Sequence, residues 1–168
     1  IARKERAAGV VYVCVSVEHH SDKHVGALVD IIEVEAAETG LIVVDAEAIG
    51  KGITEKGRVV LDGILFDYDK ATLQAESKEA LEQITIYLKE NPDKPFYVVG
   101  HTDSKGTLEY NQKLSSDRAK AVVAALVKDY GIAAERLEGH GVGPLVPVFT
   151  NESDAGREKN RRVELVER

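Results

Sequence analysis

The sequence predicts an α/β (α+β) domain: a β-α-β-α-β-β chain with its helices on one face of a mixed four-stranded sheet, preceded by a small β-rich N-terminal segment. Three observations carry this. Runs rich in β-branched and aromatic residues recur at Val59–Phe66, Phe96–His101 and Arg161–Glu167, with a shorter strand at Arg136–His140. Between them lie two long segments with apolar residues at helical spacing, Ala75–Asn91 and Glu109–Tyr130. Glycine and proline mark the junctions: Pro92 and Pro95, Gly131, then Gly141, Gly143, Pro144, Pro147 and Gly156. At 168 residues the chain can hold one domain plus a small extra piece, and the expected division is 1–45 and 46–168.

In chain order, Val10–Val17 (VVYVCVSV) reads as a strand that is apolar on both faces, and His19 to Lys23 as a turn. Residues 24–38 fit either a helix or a strand; a strand pairing with Val10–Val17 is favoured, because the gap suits a hairpin. Leu41–Val44 is expected as a further short strand, and Asp45 as the cap of a brief helix ending at Gly57. Val59–Phe66 is so apolar that a central position in the sheet is expected for it. Asp67 to Lys70 forms the loop at its end. The first long helix turns Leu81, Ile84 and Leu88 inward and Glu82, Lys89 and Glu90 outward. Right-handed crossovers then set the first two strands of the module parallel.

The most informative stretch is Gly100–Arg118, GHTDSKGTLEYNQKLSSDR. A strand ending in polar residues turns over Gly106 into a helix, and ligands gather at the carboxyl ends of such strands. On that helix Asn111, Leu114 and Arg118 share a stripe with Ala121, Val122 and Ala125, so a core face carries an amide and a guanidinium in its first turns. A half-buried arginine needs a partner, because an unpaired charge out of water is costly, and Asp103 is the candidate. Such a pair serves either as a structural ion pair or as a socket for a ligand bearing both an ammonium and a carboxylate. Asp67, Thr102 and Asp103 would meet at one sheet edge, below Asn111, Leu114 and Arg118.

These residues carry a resemblance to a known family. GHTDSKGTLEYNQKLSSDRAKAV resembles the signature of the OmpA C-terminal-like domain, the peptidoglycan-associated module of Gram-negative envelopes. Three further blocks agree in order: Ile64 through Leu73, Arg136 through Pro147, and Asn151 through Glu164. The resemblance covers residues 58–168. It implies non-covalent binding of peptidoglycan through the free D-centre of diaminopimelate in the stem peptide. Asp103 and Arg118 would be the principal contacts, with Thr102, Asn111, Leu114, Phe66 and Asp67 completing the site. It also implies a periplasmic place, beside the outer membrane or an envelope complex. The alternative it leaves open is a protein–protein or dimerising use of the same fold, with an envelope protein or a second copy as partner.

Charge and composition set the limits. A net charge of −7 supplies no basic field for nucleic acid, and wall binding by so acidic a chain would have to be local and stereospecific. No stretch approaches the roughly 18 apolar residues of a membrane-spanning helix. Membrane attachment would therefore rest on sequence outside this chain, which is read as a mature form or an excised fragment. Cys14 is the only cysteine and sits in an apolar run, so it is expected in a core rather than as a reactive thiol. His101, Asp103 and His140 could be imagined as a metal or acid–base set. No HExxH-like spacing and no nucleophile with an adjacent base support it, so neither an enzyme nor a cofactor is expected. The adjacent His19 and His20 are expected in a solvated loop. The basic run Arg157–Arg162 is expected to be structural, Asn160 and Arg161 tying the 141–156 loop to the sheet.

Overall fold

A computed structural model describes residues 45–168 throughout and, before them, the backbone of residues 2–6, 9–21 and 24–35. The chain divides into two compact units, Ile1–Leu41 and Ile42–Arg168. In the first, β1 (Ala2–Arg6), β2 (Gly9–Ser21) and β3 (His24–Glu35) form an antiparallel sheet in that order. Val10 lies opposite Val34 and Val17 opposite Ala27. β2 runs on through His19 and His20, which had been expected in a turn. The strand expected at Leu41–Val44, and the surroundings of the Cys14 and histidine side chains, lie outside the described residues.

The second unit opens with α1 (Ala46–Lys56). Asp45 caps it, its Oδ1 accepting from Ala48 N at 2.6 Å, and Gly57 ends it in the left-handed conformation at φ 65°. β4 (Arg58–Val60) follows, far shorter than the expected Val59–Phe66. After Leu61, whose N–H still reaches Val163 O, the chain turns at Gly63 and leaves the sheet. The apolar residues that suggested a central strand are satisfied otherwise: Leu61, Ile64 and Phe66 pack into the core cluster. Phe66 keeps a single bridge, to Leu73.

After α2 (Lys78–Glu90), β5 (Phe96–His101), α3 (Leu108–Lys128), β6 (Leu137–Gly143), α4 (Asp154–Asn160) and β7 (Val163–Glu167) complete the chain. The sheet order is β4-β7-β5-β6, with β5 parallel to β6 and β7 antiparallel to both β4 and β5. The last strand therefore fills the centre and the first lies at the edge, the reverse of the expectation for Val59–Phe66. β4 and β5 still run the same way, but not as neighbours. α4 was not foreseen: at seven residues it is too short to show a helical period.

One face of the sheet holds the core. Phe96 and Val98 of β5 and Val163 and Leu165 of β7 pack there with Ile49 and Ile53 of α1, Leu81, Ile84 and Leu88 of α2, and Ala119, Val122 and Leu126 of α3. Two glycines let α3 lie directly on the strands. A Cβ at Gly100 would stand 2.2 Å from Ser115 O, and one at Gly141 2.1 Å from Ser116 N. This contact puts the first turns of α3 over the carboxyl ends of β5 and β6.

Candidate functional site

Directly after β5, Thr102 N donates to Gly143 O at 3.0 Å, so Thr102 and Asp103 are held at the strand end and are buried. The loop beyond is closed locally. Asp103 Oδ1 accepts from Lys105 N at 2.9 Å, and Asn111 Nδ2 donates to Lys105 O at 2.8 Å. Gly106 turns at φ 96°, and Thr107 caps α3 with its hydroxyl on Tyr110 N. Asn111 thus fastens the Asp103 loop and has its amide hydrogen-bonded to protein.

The ion pair at this edge is not the expected one. Asp103 Oδ2 accepts from Arg161 Nη1 at 2.8 Å, and no direct bond joins Asp103 to Arg118. Arg118 instead donates from Nε to Lys70 O at 2.9 Å and lies over the Phe66 ring, 5.0 Å from its centroid. Its Nη groups make no hydrogen bond to protein among the described residues. Burial draws the Arg118 pKa below the ordinary value. Asp69, Tyr110 and Asp103 oppose that shift and Arg161 adds to it, so these groups share one electrostatic neighbourhood. Leu114 is half-buried on the same helix. Asp67 faces Lys70 at 3.6 Å in the loop that holds Arg118.

Arg161 was missed as a member of this site; sequence reasoning set it beside Asn160 as a tie for the preceding loop. Asn160 does make that tie, accepting from Val148 N and Phe149 N and donating to Phe149 O at 2.9 Å. The signal for Arg161 lies in strand pairing. Gly100 is opposite Val163 in the antiparallel β5–β7 ladder, which brings the residues just before β7 beside those just after β5. Periodicity does not reveal that pairing.

The remaining titratable groups do not converge on this edge. His101 turns to β7, its Nε2 3.8 Å from Glu164 Oε2, and neither ring nitrogen hydrogen-bonds within the described residues. Burial lowers its pKa to about 4, Arg162 and Arg58 adding to the effect against Glu164, so the ring is neutral at pH 7. His140 pairs with Glu138 at 2.9 Å and meets Tyr97 edge-on. Among the described residues no group of His, Cys, Asp and Glu could hold a metal ion, and no helix is long and apolar enough to cross a membrane.

Comparison with known proteins bears on this edge. The model of the OmpA family matches residues 65–161, which include both arginines and Asp103. Outer membrane porin F of Pseudomonas aeruginosa is 41% identical over 123 residues, covering 73% of this chain and 35% of the porin. This chain thus spans well under two thirds of that relative. The solved peptidoglycan-associated lipoprotein of Burkholderia pseudomallei superposes with a TM-score of 0.57 at 34% identity, covering 62% of this chain and 88% of that one. The cell wall anchor of the T6SS from Pseudomonas aeruginosa gives a TM-score of 0.56 at 31% identity, covering 71% and 93%.

Proposed function

The chain belongs to the OmpA family, and from that premise we propose that it binds peptidoglycan non-covalently through the free D-centre of diaminopimelate in the stem peptide. It would thereby tether an outer-membrane or other envelope protein to the wall from the periplasm. The family's domain is structural and not enzymatic. Resemblance to a peptidoglycan-associated lipoprotein and to a cell wall anchor supports the polymer as ligand.

The observation that carries the reading is the unequal use of two charges. Asp103 is 7% exposed, and its two protein bonds leave half of a carboxylate's roughly four acceptor positions for an ammonium. Arg118 has committed its Nε and one face, so its two Nη groups remain for a carboxylate. Beside Asp103 in the chain, the buried Thr102 hydroxyl makes no hydrogen bond among the described residues. The D-centre of diaminopimelate offers an ammonium and a carboxylate on one carbon, which suits this set. Leu114 and Phe66 would form the apolar wall, and Asn111 and Asp67 would hold the flanking loops. Co-sedimentation tests this: diaminopimelate-type sacculi should pull the chain down and lysine-type sacculi should not, and equal recovery would refute it.

A protein partner or a second copy is the other reading, and one feature favours it. Leu145, Val146, Val148 and Phe149 are all exposed on the loop before α4. A concentration-dependent sedimentation coefficient that Phe149→Ser abolishes would support that use of the fold.

A further inference from the structure

The loop Phe66–Lys70 is joined to α3 by contacts that Arg118 alone does not account for. Its root is closed by backbone: Asp67 N donates to Thr72 O at 3.0 Å and Lys70 N to Asp67 O at 3.1 Å. Gln74 Nε2 adds a bond to Phe66 O at 3.0 Å. Near its tip Asp69 stands at φ 59°, in the left-handed region. For a residue other than glycine that conformation costs about 1–2 kcal/mol, and Asp is among the few that adopt it. Tyr110, in the first turn of α3, donates its hydroxyl to Asp69 Oδ1 at 2.6 Å, the length of a charge-assisted bond. The next carbonyl along the loop, that of Lys70, is the one that accepts from Arg118 Nε at 2.9 Å.

The bond to Lys70 decides how Arg118 can be used. A guanidinium meets a carboxylate bidentately either side-on, through Nε and one Nη, or end-on, through both Nη groups. With Nε occupied and one face against Phe66, the end-on fork is what remains. The Lys70 carbonyl follows directly on the turn at Asp69, which Tyr110 contacts from the helix that carries Arg118.

We propose that Tyr110 is a positioning residue: through Asp69 it fixes the turn that aims the Lys70 carbonyl at Arg118 Nε, and so sets Arg118 for end-on recognition of a ligand carboxylate. The carboxylate is that of the wall-binding reading above, on which the ligand half of this inference rests. Tyr110 acts through the loop and not on the ligand. The bond to Asp69 and the charge of that residue raise the Tyr110 pKa above its ordinary 10, so the contact persists through neutral and mildly alkaline pH. It is lost only as pH rises through that raised value, where the hydroxyl becomes an anion facing Asp69.

The test uses the full chain and free meso-diaminopimelate as probe, with two readouts: affinity by calorimetry, and hydrogen exchange at Arg118 Nε–H by nitrogen-15 NMR. Tyr110→Phe removes the donor. Asp69→Gly removes the acceptor while keeping a residue at ease with positive φ. Both variants should exchange Arg118 Nε–H about tenfold faster and bind the probe about three- to tenfold more weakly, the loss of one hydrogen bond's worth of positioning. Affinity equal to the parent's in both variants overturns the proposal. So does weakened binding with unchanged Nε–H exchange, which would place Tyr110 on the ligand itself. If the parent fails to bind the probe while Nε–H protection still falls in the variants, the positioning of Arg118 stands and the wall-binding reading falls.

Discussion

Two adjacent arginines, Arg161 and Arg162, enter β7 together and serve two different charge clusters. Arg162 turns into the protein. Its Nε reaches Glu164 Oε1 at 2.7 Å, its Nη2 reaches Val146 O at 3.2 Å, and both side chains of the Arg162–Glu164 pair are 5% exposed. Arg58 Nη1 closes the other oxygen of Glu164 at 3.2 Å, with the neutral His101 beside it. Arg161 turns the other way, is 45% exposed, and holds Asp103 at an edge where the Arg118 Nη groups make no hydrogen bond to protein among the described residues. Both clusters keep unbonded polar atoms among the described residues, Arg162 Nη1 and the His101 nitrogens in the first and the Thr102 hydroxyl and Arg118 Nη groups in the second. The difference is that the first pair is enclosed, whereas Arg161 and the edge it holds are open to solvent. Kinds of residue do not tell two such clusters apart; burial and access to solvent do.

The largest expected effect lies in the enclosed cluster. Glu164→Gln should cost about 3–5 kcal/mol of stability by leaving the buried Arg162 without its anion. Urea denaturation measures this, and a loss below about 1 kcal/mol would mean that water reaches the cluster. The open cluster should behave in the opposite way. Arg118→Ala should cost only about 1–2 kcal/mol of stability, for one bond to Lys70 and its packing on Phe66. It should nevertheless remove about 2–5 kcal/mol of ligand binding, since Asp103 then faces a half-matched ligand. A folded Arg118→Ala chain that co-sediments with diaminopimelate-type sacculi like the parent would erase the contrast.

A smaller effect distinguishes the clusters by pH. His101 has its pKa lowered from 6.5 to about 4 by burial and by Arg162 and Arg58, partly offset by Glu164. A histidine held neutral in the fold binds fewer protons than the unfolded chain between those two values. Its contribution is therefore complete above pH 6.5 and is lost as pH falls toward 4. Stability measured across that window should decline, and His101→Gln should flatten the decline; an unchanged slope would remove His101 from the cluster's account. The smallest effect belongs to a pair in neither cluster. Lys113 and Asp117 meet at 2.5 Å on α3, the lysine largely and the aspartate partly solvated. Lys113→Ala should change stability by no more than about 0.5 kcal/mol and leave wall binding unchanged.

The sequence made the elements legible better than their neighbours. The helices α2 and α3 and the strand β5 lie close to where periodicity and glycine or proline stops put them, because those signals are local. The sheet order is not local: apolar Val59–Phe66 looked central but lies partly outside the sheet, since Leu61, Ile64 and Phe66 are buried by packing on the core cluster without needing strand neighbours on both sides. The same limit shaped the site. Asp103 and Arg118 stood out because an acid at a strand end and a cation on a core stripe conflict with their settings. Their bonds to Arg161 and Lys70 depend on the β5–β7 register and on the turn at Asp69, which no spacing encodes.

The proposed contacts set the Nη fork of Arg118 on a carboxylate and Asp103 on the neighbouring ammonium. Calorimetric titration of the full chain with two stem peptides tests them most directly, one with the D-centre carboxylate of diaminopimelate free and one with it amidated. An amide cannot meet a guanidinium bidentately, so the amidated peptide should bind at least about tenfold more weakly, near 1.4 kcal/mol. Equal affinity for the two peptides would contradict the account and move the weight to the exposed loop around Phe149 and a protein partner.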